Sequence, residues 1–243
     1  MSFLTLLSRQ IGACVDLLFP PCCLFCSSTR ILKNCRGEVC PDCHQSIGKA
    51  VSVCRVCAAP LLSFATTCHT CEACLRKTSP FSRVWMVGSY CDPLKEAIHR
   101  LEYREQIFLS RGLGELLGDC LAEEDPPPAF DLILPVPLHL NRLRQRGYNQ
   151  ALEIARPLGR RTGWPVDALR LQRLRATPPQ QGLPLAARER NLSGAFHCEG
   201  SLYGARVLLV DDVMTSGATV RECSRVLKQA GAREVAVAIL ARA

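Results

Sequence analysis

The chain has 243 residues, an apolar fraction of 48% and a formal net charge of +8, room for one large domain or two small ones of ordinary soluble composition. The opening apolar segment, Phe3 to Phe19, has no basic start and is interrupted by Arg9 and Asp16, which excludes a signal peptide and a spanning helix and leaves an amphipathic start to the fold. Sixteen cysteines are unusual, and without a secretion signal they read as reduced thiols of a cytoplasmic protein.

Twelve of the cysteines precede residue 76, followed by Cys91, Cys120, Cys198 and Cys223. This shift predicts a Cys-rich head over residues 1–80 and a Cys-poor body over 81–243. Within the head stand four Cys-x-x-Cys pairs: Cys23/Cys26, Cys40/Cys43, Cys54/Cys57 and Cys71/Cys74. Two sulfurs separated by two residues grip one side of a tetrahedral metal, and two such knuckles close a structural zinc site with no open position for catalysis. The gaps from Cys26 to Cys40 and from Cys57 to Cys71 are both thirteen residues, so the head reads as tandem zinc ribbons with two structural Zn2+. Another pairing of the knuckles, such as first with third, stays open, and the neighbours Cys22 and Cys68 could shift the ligand choice; Cys14, Cys35 and Cys91 are spare.

In the body, Val84 to Tyr90 is a candidate strand. Pro93 opens a helix whose apolar rhythm from Leu94 runs to about Glu124. Asp125-Pro-Pro-Pro128 is a turn, Asp131 to Pro137 a buried strand, Tyr148 to Arg161 a helix and Val166 to Leu174 a short strand region. Arg175 to Asn191 holds three Pro and no clean period and reads as a long mobile loop. Arg206 to Val210, Val220 to Ala230 and Glu234 to Leu240 then give strand, helix, strand. Strands alternating with helices predict an α/β body with a parallel sheet flanked by helices. From Leu140 to Arg190 there are eleven Arg and three acids, a surplus equal to the whole net charge, which suits a polyphosphate or nucleic-acid ligand.

The most telling string is Val207-Leu-Leu-Val-Asp-Asp-Val-Met-Thr-Ser-Gly-Ala-Thr219. A continuous apolar run is the mark of a buried parallel strand, and ligands of such sheets bind beyond the strands' carboxyl ends. The small-residue loop Thr215, Ser216, Gly217, Ala218, Thr219 enters a helix, where free N–H groups suit a phosphate. Asp211 and Asp212 beside it suit vicinal hydroxyls. A phosphorylated sugar is the ligand these features imply.

That string resembles the 5-phosphoribosyl-1-diphosphate (PRPP) motif of type I phosphoribosyltransferases: four apolar residues, two acids, two apolar residues, then Thr-x-Gly-x-Thr. The resemblance implies that Asp211 and Asp212 contact the ribose hydroxyls and that 215–219 holds the 5-phosphate. Nearly the whole chain resembles the ComF/GntX-like, amidophosphoribosyltransferase-like family. The four knuckles match its double zinc ribbon. Pro135-Val-Pro137 with Arg144-Gln-Arg-Gly-Tyr-Asn-Gln150 matches one signature, and Arg188-x-Arg-Asn191 followed by Phe196 another. By this resemblance the loop Pro137 to Gly147 binds the diphosphate through Arg144 and Arg146, with Gly147 admitting close backbone approach. Thr177, Gln180, Arg188, Arg190 and Asn191 lie in or beside a loop that closes over the substrate. The chain departs from relatives in having Thr215 where hypoxanthine-type enzymes carry a base-assisting Asp, and Glu102 where the family carries Lys.

The resulting expectation is a PRPP-binding phosphoribosyltransferase with Mg2+ on the diphosphate, acting on an unnamed acceptor, with a link to competence and DNA uptake. Asp211 and Asp212 are its catalytic candidates; His139 reads as structural. Two alternatives are a PRPP sensor without turnover and an accessory protein for single-stranded DNA working with competence-machinery proteins.

Overall fold

The computed structural model describes residues 22–29, 39–47, 52–61, 70–177 and 190–243. The segment 3–19 and positions Cys14, Cys35, Cys68, Gln180 and Arg188 lie outside them. In chain order the elements are helices α1 (Pro41–Ser46) and α2 (Glu72–Arg76), strand β1 (Val84–Ser89), helices α3 (Leu94–Tyr103) and α4 (Leu109–Ala122), strand β2 (Leu132–Pro135), helices α5 (Leu140–Arg146) and α6 (Gln150–Thr162), strands β3 (Leu171–Arg173), β4 (Phe196–Cys198) and β5 (Arg206–Met214), helix α7 (Ala218–Gln229) and strand β6 (Glu234–Arg242).

β1, β6, β5 and β2 form a four-stranded parallel sheet in that order, and β3 pairs antiparallel with β4 beside it. The apolar run of β5 is fully buried because the sheet is covered on both faces. Leu208 and Val210 face one layer with Leu113 and Leu117 of α4 and Ile154 and Leu158 of α6. Val207 and Leu209 face the other, with Val220 and Leu227 of α7. The expected α/β class with a parallel sheet and flanking helices is therefore what the chain adopts.

Three local expectations change. The single helix from Pro93 to Glu124 is two helices: α3 ends at Arg104, Glu105 takes a left-handed φ of 54°, and Ile107 and Phe108 are exposed. The apolar rhythm continued across the break because Leu101 and Leu109 meet the same core from separate helices. The segment Pro137 to Gly147 is not wholly loop, since it contains α5, capped by His139, whose Nδ1 accepts from the Asn141 N–H at 3.2 Å. β5 runs through the two acids to Met214 instead of stopping at Val210, still paired to β6 after β2 has ended.

The head packs on the body. Leu24 and Val39 share a buried cluster with Leu94, Ile98 and Leu101 of α3, and Arg100 Nη1 donates to the Leu24 carbonyl at 3.4 Å. Ala58 joins the other cluster with Phe81 and Val84. No helix among the described residues is long and apolar enough to cross a membrane.

Close contact of α4 with α6 depends on Gly114, where an added Cβ would lie 2.4 Å from Pro157 Cγ and 2.6 Å from the Ile154 carbonyl oxygen. Gly114→Ala is expected to destabilise the chain by about 1–3 kcal/mol through overpacking, read as a drop of about 2–4 °C in Tm per kcal/mol in a thermal melt.

Candidate functional site

The sulfurs of Cys23, Cys26, Cys40 and Cys43 lie within 4.8 Å of one another, as do those of Cys54, Cys57, Cys71 and Cys74. Neighbouring knuckles therefore pair, first with second and third with fourth. Sulfur–sulfur distances of 3.7 Å (Cys26 to Cys40) and 3.6 Å (Cys57 to Cys71) match the edge of about 3.8 Å of a tetrahedron with Zn–S bonds of about 2.3 Å. All eight thiols are free of disulfides. The groups are copies of one unit. In each, the N–H that opens the second knuckle donates at 3.3 Å to the first sulfur, Cys40 to Cys23 and Cys71 to Cys54. Ser27 and Ala58 each take a left-handed turn after a knuckle, at φ 59° and 54°. Burial pushes the Cys23 and Cys54 thiols up, but N–H donors from Cys26 and Cys40, and from Cys71 and Cys57, outweigh it and bring both down to about 7. The donor sets fit a four-thiolate metal such as Zn2+.

The second centre is an open cleft of about 190 Å3 beyond the carboxyl ends of the sheet. Its lining includes Asp211 and Asp212, Thr219, Glu102, Arg142 and Arg146, Asn149 and Gln150, and Arg173. The cleft exists because β2 stops at Pro135 while β5 continues. Val136 N–H gives a last bond to the Val210 carbonyl at 2.8 Å, and the chain then turns away through Pro137 into α5. Asn149 holds the far side of that turn: its Nδ2 donates to the Val136 carbonyl at 3.1 Å, and its Oδ1 caps α6 through the Ala151 N–H at 3.0 Å.

The two acids are half-buried at the cleft floor. Burial, then the charge of Asp212, push the Asp211 carboxyl well above the usual carboxylate range. Asp212 is raised by burial and by Glu102 across the cleft. The Asp212 and Val213 N–H groups donate back to the two carboxylates at 3.1 and 2.7 Å, which offsets part of the cost of adjacent like charges. Next, Gly217 at φ 75° caps α7. A Cβ there would press on Arg221 and Met214 at 3.3 Å, and its conformation suits glycine alone. The first turn of α7 begins beside the acids, with the Ala218 N–H donating to Ser216 Oγ at 3.4 Å and Thr219 lining the cleft.

The basic wall is only partly the one the sequence singled out. Arg146 lines the cleft and pairs with Glu102 at 2.7 Å, both side chains about a fifth exposed at 23% and 22%, with Tyr103 ringing the guanidinium at 5.4 Å. Arg144 is exposed on α5 and does not line the cleft. Gly147 serves as the left-handed C-cap of α5 at φ 79°. Thr177 accepts from Arg173 Nη2. Arg190 is exposed, the Asn191 carbonyl accepts from Arg175 at 2.9 Å, and neither lines the cleft.

Arg142, Arg173 and Gln150 line the cleft without having been singled out. Arg173 is half-buried, its guanidinium over Phe196 at 5.4 Å from the ring centroid; burial, then Arg142, lower its basicity. Its Nε and the Gln150 Nε2 are buried with no partner among the described residues. Arg142 lay within the Pro137 to Gly147 segment, and the early signal for Arg173 was the density of arginine over 140–190.

A phosphoribosyl transferase domain model matches residues 145–243. A DNA utilization protein YhgH of Salmonella typhi is 32% identical over 229 residues, 93% of this chain and 99% of its own. A competence protein F of Haemophilus influenzae is 33% identical over 225 residues, 86% and 96%. The chain belongs to the ComF family. A more distant ComF relative, competence protein ComFC of Bacillus subtilis, is 26% identical over 200 residues, 80% of this chain and 79% of its own. The ComF-type double ribbon corresponds to the two cysteine groups, and the phosphoribosyltransferase domain to the sheet that carries the cleft.

Metal analysis of the purified ComF-family chain is expected to find two zinc ions per chain. Cys54→Ser is expected to unfold its ribbon, since structural zinc carries on the order of 10 kcal/mol of folding free energy. A zinc content well below one per chain would refute the assignment. A second expectation concerns Asp211. Burial and the charge of Asp212 hold its folded carboxyl well above the value near 4 of an unfolded Asp. The contribution of Asp211 to stability is therefore fully present below about pH 4 and is lost as pH rises through the raised folded value. Asp211→Asn keeps the acceptor for the Asp212 N–H and removes that decline. Its Tm at neutral pH is expected to exceed wild type, by about 2–4 °C for each kcal/mol recovered, and the gain should vanish in acid.

Proposed function

We propose that the cleft binds PRPP and supports phosphoribosyl transfer. The observation that carries this reading is the juxtaposition, in one cleft, of paired acids, the turn into α7 and three guanidiniums. Asp211 and Asp212 would take the ribose 2- and 3-hydroxyls. The N–H groups of 215–219 would take the 5-phosphate. Arg142 and Arg146 would take the diphosphate, since planar guanidiniums engage phosphate oxygens in paired bonds. The unpartnered Arg173 Nε and Gln150 Nε2 are donors that a bound anion would satisfy. The division into a zinc-ribbon head over 1–80 and a transferase body over 81–243 is part of the same proposal.

Mg2+ fits as a guest of the ligand, because a small hard cation is usually held by one or two carboxylates plus substrate phosphates; here Asp211, Asp212 and Glu102 are the available carboxylates. It would neutralise the departing diphosphate. The chain's own part is positioning and charge: the acids lie beneath the ribose, where positive charge develops at C1, and the arginines receive the diphosphate. The acceptor would enter on the side of Glu102 and Tyr103. The names of the relatives, DNA utilization and competence proteins, support a role for this activity in the handling of DNA.

The Glu102–Arg146 pair favours a second reading, a PRPP sensor with little turnover. Arg146 is already engaged, and Thr215 leaves no general base beside the acids. Release of labelled diphosphate from PRPP by the full chain separates the two readings.

The test of binding is calorimetry. Asp211→Asn with Asp212→Asn is expected to abolish Mg2+–PRPP binding while both ribbons stay folded; unchanged affinity would refute the acids' role. Arg142→Ala with Arg146→Ala is expected to weaken PRPP by about tenfold or more, at about 1.5–3 kcal/mol per charge-assisted bond, and to leave ribose 5-phosphate nearly unaffected. Arg144→Ala is expected to change neither. Equal losses for both ligands would remove the diphosphate assignment.

A further inference from the structure

Glu102 and Arg146 close an ion pair between two helices that border the cleft. Glu102 is the penultimate residue of α3 and Arg146 the last of α5. Glu102 Oε1 accepts from Arg146 Nη2 at 2.7 Å. Both residues line the cleft, and no other ion pair between described residues has both members there. Each end of the pair is anchored. Leu101, just before Glu102, is wholly buried, and its carbonyl accepts from the Tyr148 hydroxyl. Arg146 is followed by Gly147, the cap of α5, and its guanidinium lies 5.4 Å from the Tyr103 ring centroid.

The charges of the cleft show what the pair holds in check. Its lining carries three acids, Asp211, Asp212 and Glu102, and three arginines, Arg142, Arg146 and Arg173. Asp211 and Asp212 accept from the N–H groups of Asp212 and Val213, whereas Glu102 accepts from Arg146. A carboxylate and a phosphate offer a guanidinium the same thing, anionic oxygens in reach of its planar fork. An anion arriving at Arg146 therefore meets a carboxylate already in its place. It also meets that carboxylate's charge, which repels a neighbouring anion more strongly in a partly desolvated cleft than in bulk water. Asp212 is subject to the same charge: after burial, Glu102 is the largest cause that raises its carboxyl. Tyr103 and Arg104, which follow Glu102 at the end of α3, are exposed, so solvent borders the carboxylate on that side.

We propose that Glu102 is a built-in competitor for the diphosphate. It holds the Arg146 guanidinium and yields it when a diphosphate takes Arg142 and Arg146 together. A ligand that does not reach Arg146, such as a 5-phosphate on 215–219, leaves the pair closed. Glu102 thus lowers the affinity of one end of the cleft without acting on the other. The proposal rests on reading Arg142 and Arg146 as the diphosphate side; it does not need the ribose or the 5-phosphate.

The experiment is calorimetry on the zinc-loaded full chain as wild type, Glu102→Gln, Arg146→Ala and the double variant. The probes are inorganic diphosphate without added Mg2+, ribose 5-phosphate, and PRPP with Mg2+. Glu102→Gln is expected to bind diphosphate about tenfold tighter than wild type and to bind ribose 5-phosphate as wild type does. Made on top of Arg146→Ala, it is expected to give little gain, because both changes act on one contact. Unchanged or weaker diphosphate binding by Glu102→Gln overturns the proposal, since Glu102 then orients Arg146 instead of competing for it. A gain that persists beside Arg146→Ala also overturns it, since the effect is then one of general charge. If none of the four binds PRPP while diphosphate shows the gain, the PRPP reading falls and the exchange on Arg146 stands. Should Glu102→Gln unfold, a crystal structure of wild type with diphosphate decides. Arg146 on the diphosphate with Glu102 turned away supports the exchange, and a pair still closed at 2.7 Å overturns it.

Discussion

Adjacent carboxylates that directly follow a fully buried apolar run are the constraint on which the structure turns. Asp211 and Asp212 repel each other and lose solvation, and burial raises both carboxyls. They are held there by the strand that precedes them: Val207 to Val210 are wholly buried and paired to β2 and β6 in parallel register. β2 then gives out at Pro135. With one neighbour gone and the other continuing, the acids form a ledge open on one side, and everything that faces it comes from elements arranged around that ledge.

Those elements are tied to the core by a few contacts. Tyr148 donates its hydroxyl to the Leu101 carbonyl, which fixes α3 against the start of α6 and sets Glu102 opposite the acids. The first ribbon packs on the same α3 through Leu24 and Val39. The second packs through Ala58 in the cluster that holds Phe81 and Val84. Each ribbon is thus packed on the body through its own buried cluster, a role in positioning that closed four-thiolate sites can fill without chemistry of their own.

Much of this was legible in the residues. The run from Val207 to Thr219 announced a strand, an acidic ledge and a turn into a helix, because burial, charge and small-residue content change sharply within thirteen positions. The cysteine spacing announced two metal units but left their pairing open, because sequence distance does not say which knuckles meet. The break after α3 was hidden because Leu101 and Leu109 satisfy a helical period while serving two helices. Among the arginines, the resemblance singled out Arg144 and Arg146, but nothing in the residues told which of them meet the cleft. Only the path of α5 puts Arg142 and Arg146 on the cleft and Arg144 in solvent. Arg173 was invisible because it reaches the site from a short strand of the second sheet.

The measurement that bears most directly on the account is a crystal structure of the zinc-loaded chain with PRPP and Mg2+. The account predicts the ribose hydroxyls on Asp211 and Asp212, the 5-phosphate on the N–H groups of Ser216 and Gly217, and the diphosphate toward Arg142 and Arg146. PRPP bound in the reverse sense, with its diphosphate on 215–219, or bound away from the acids, would contradict it.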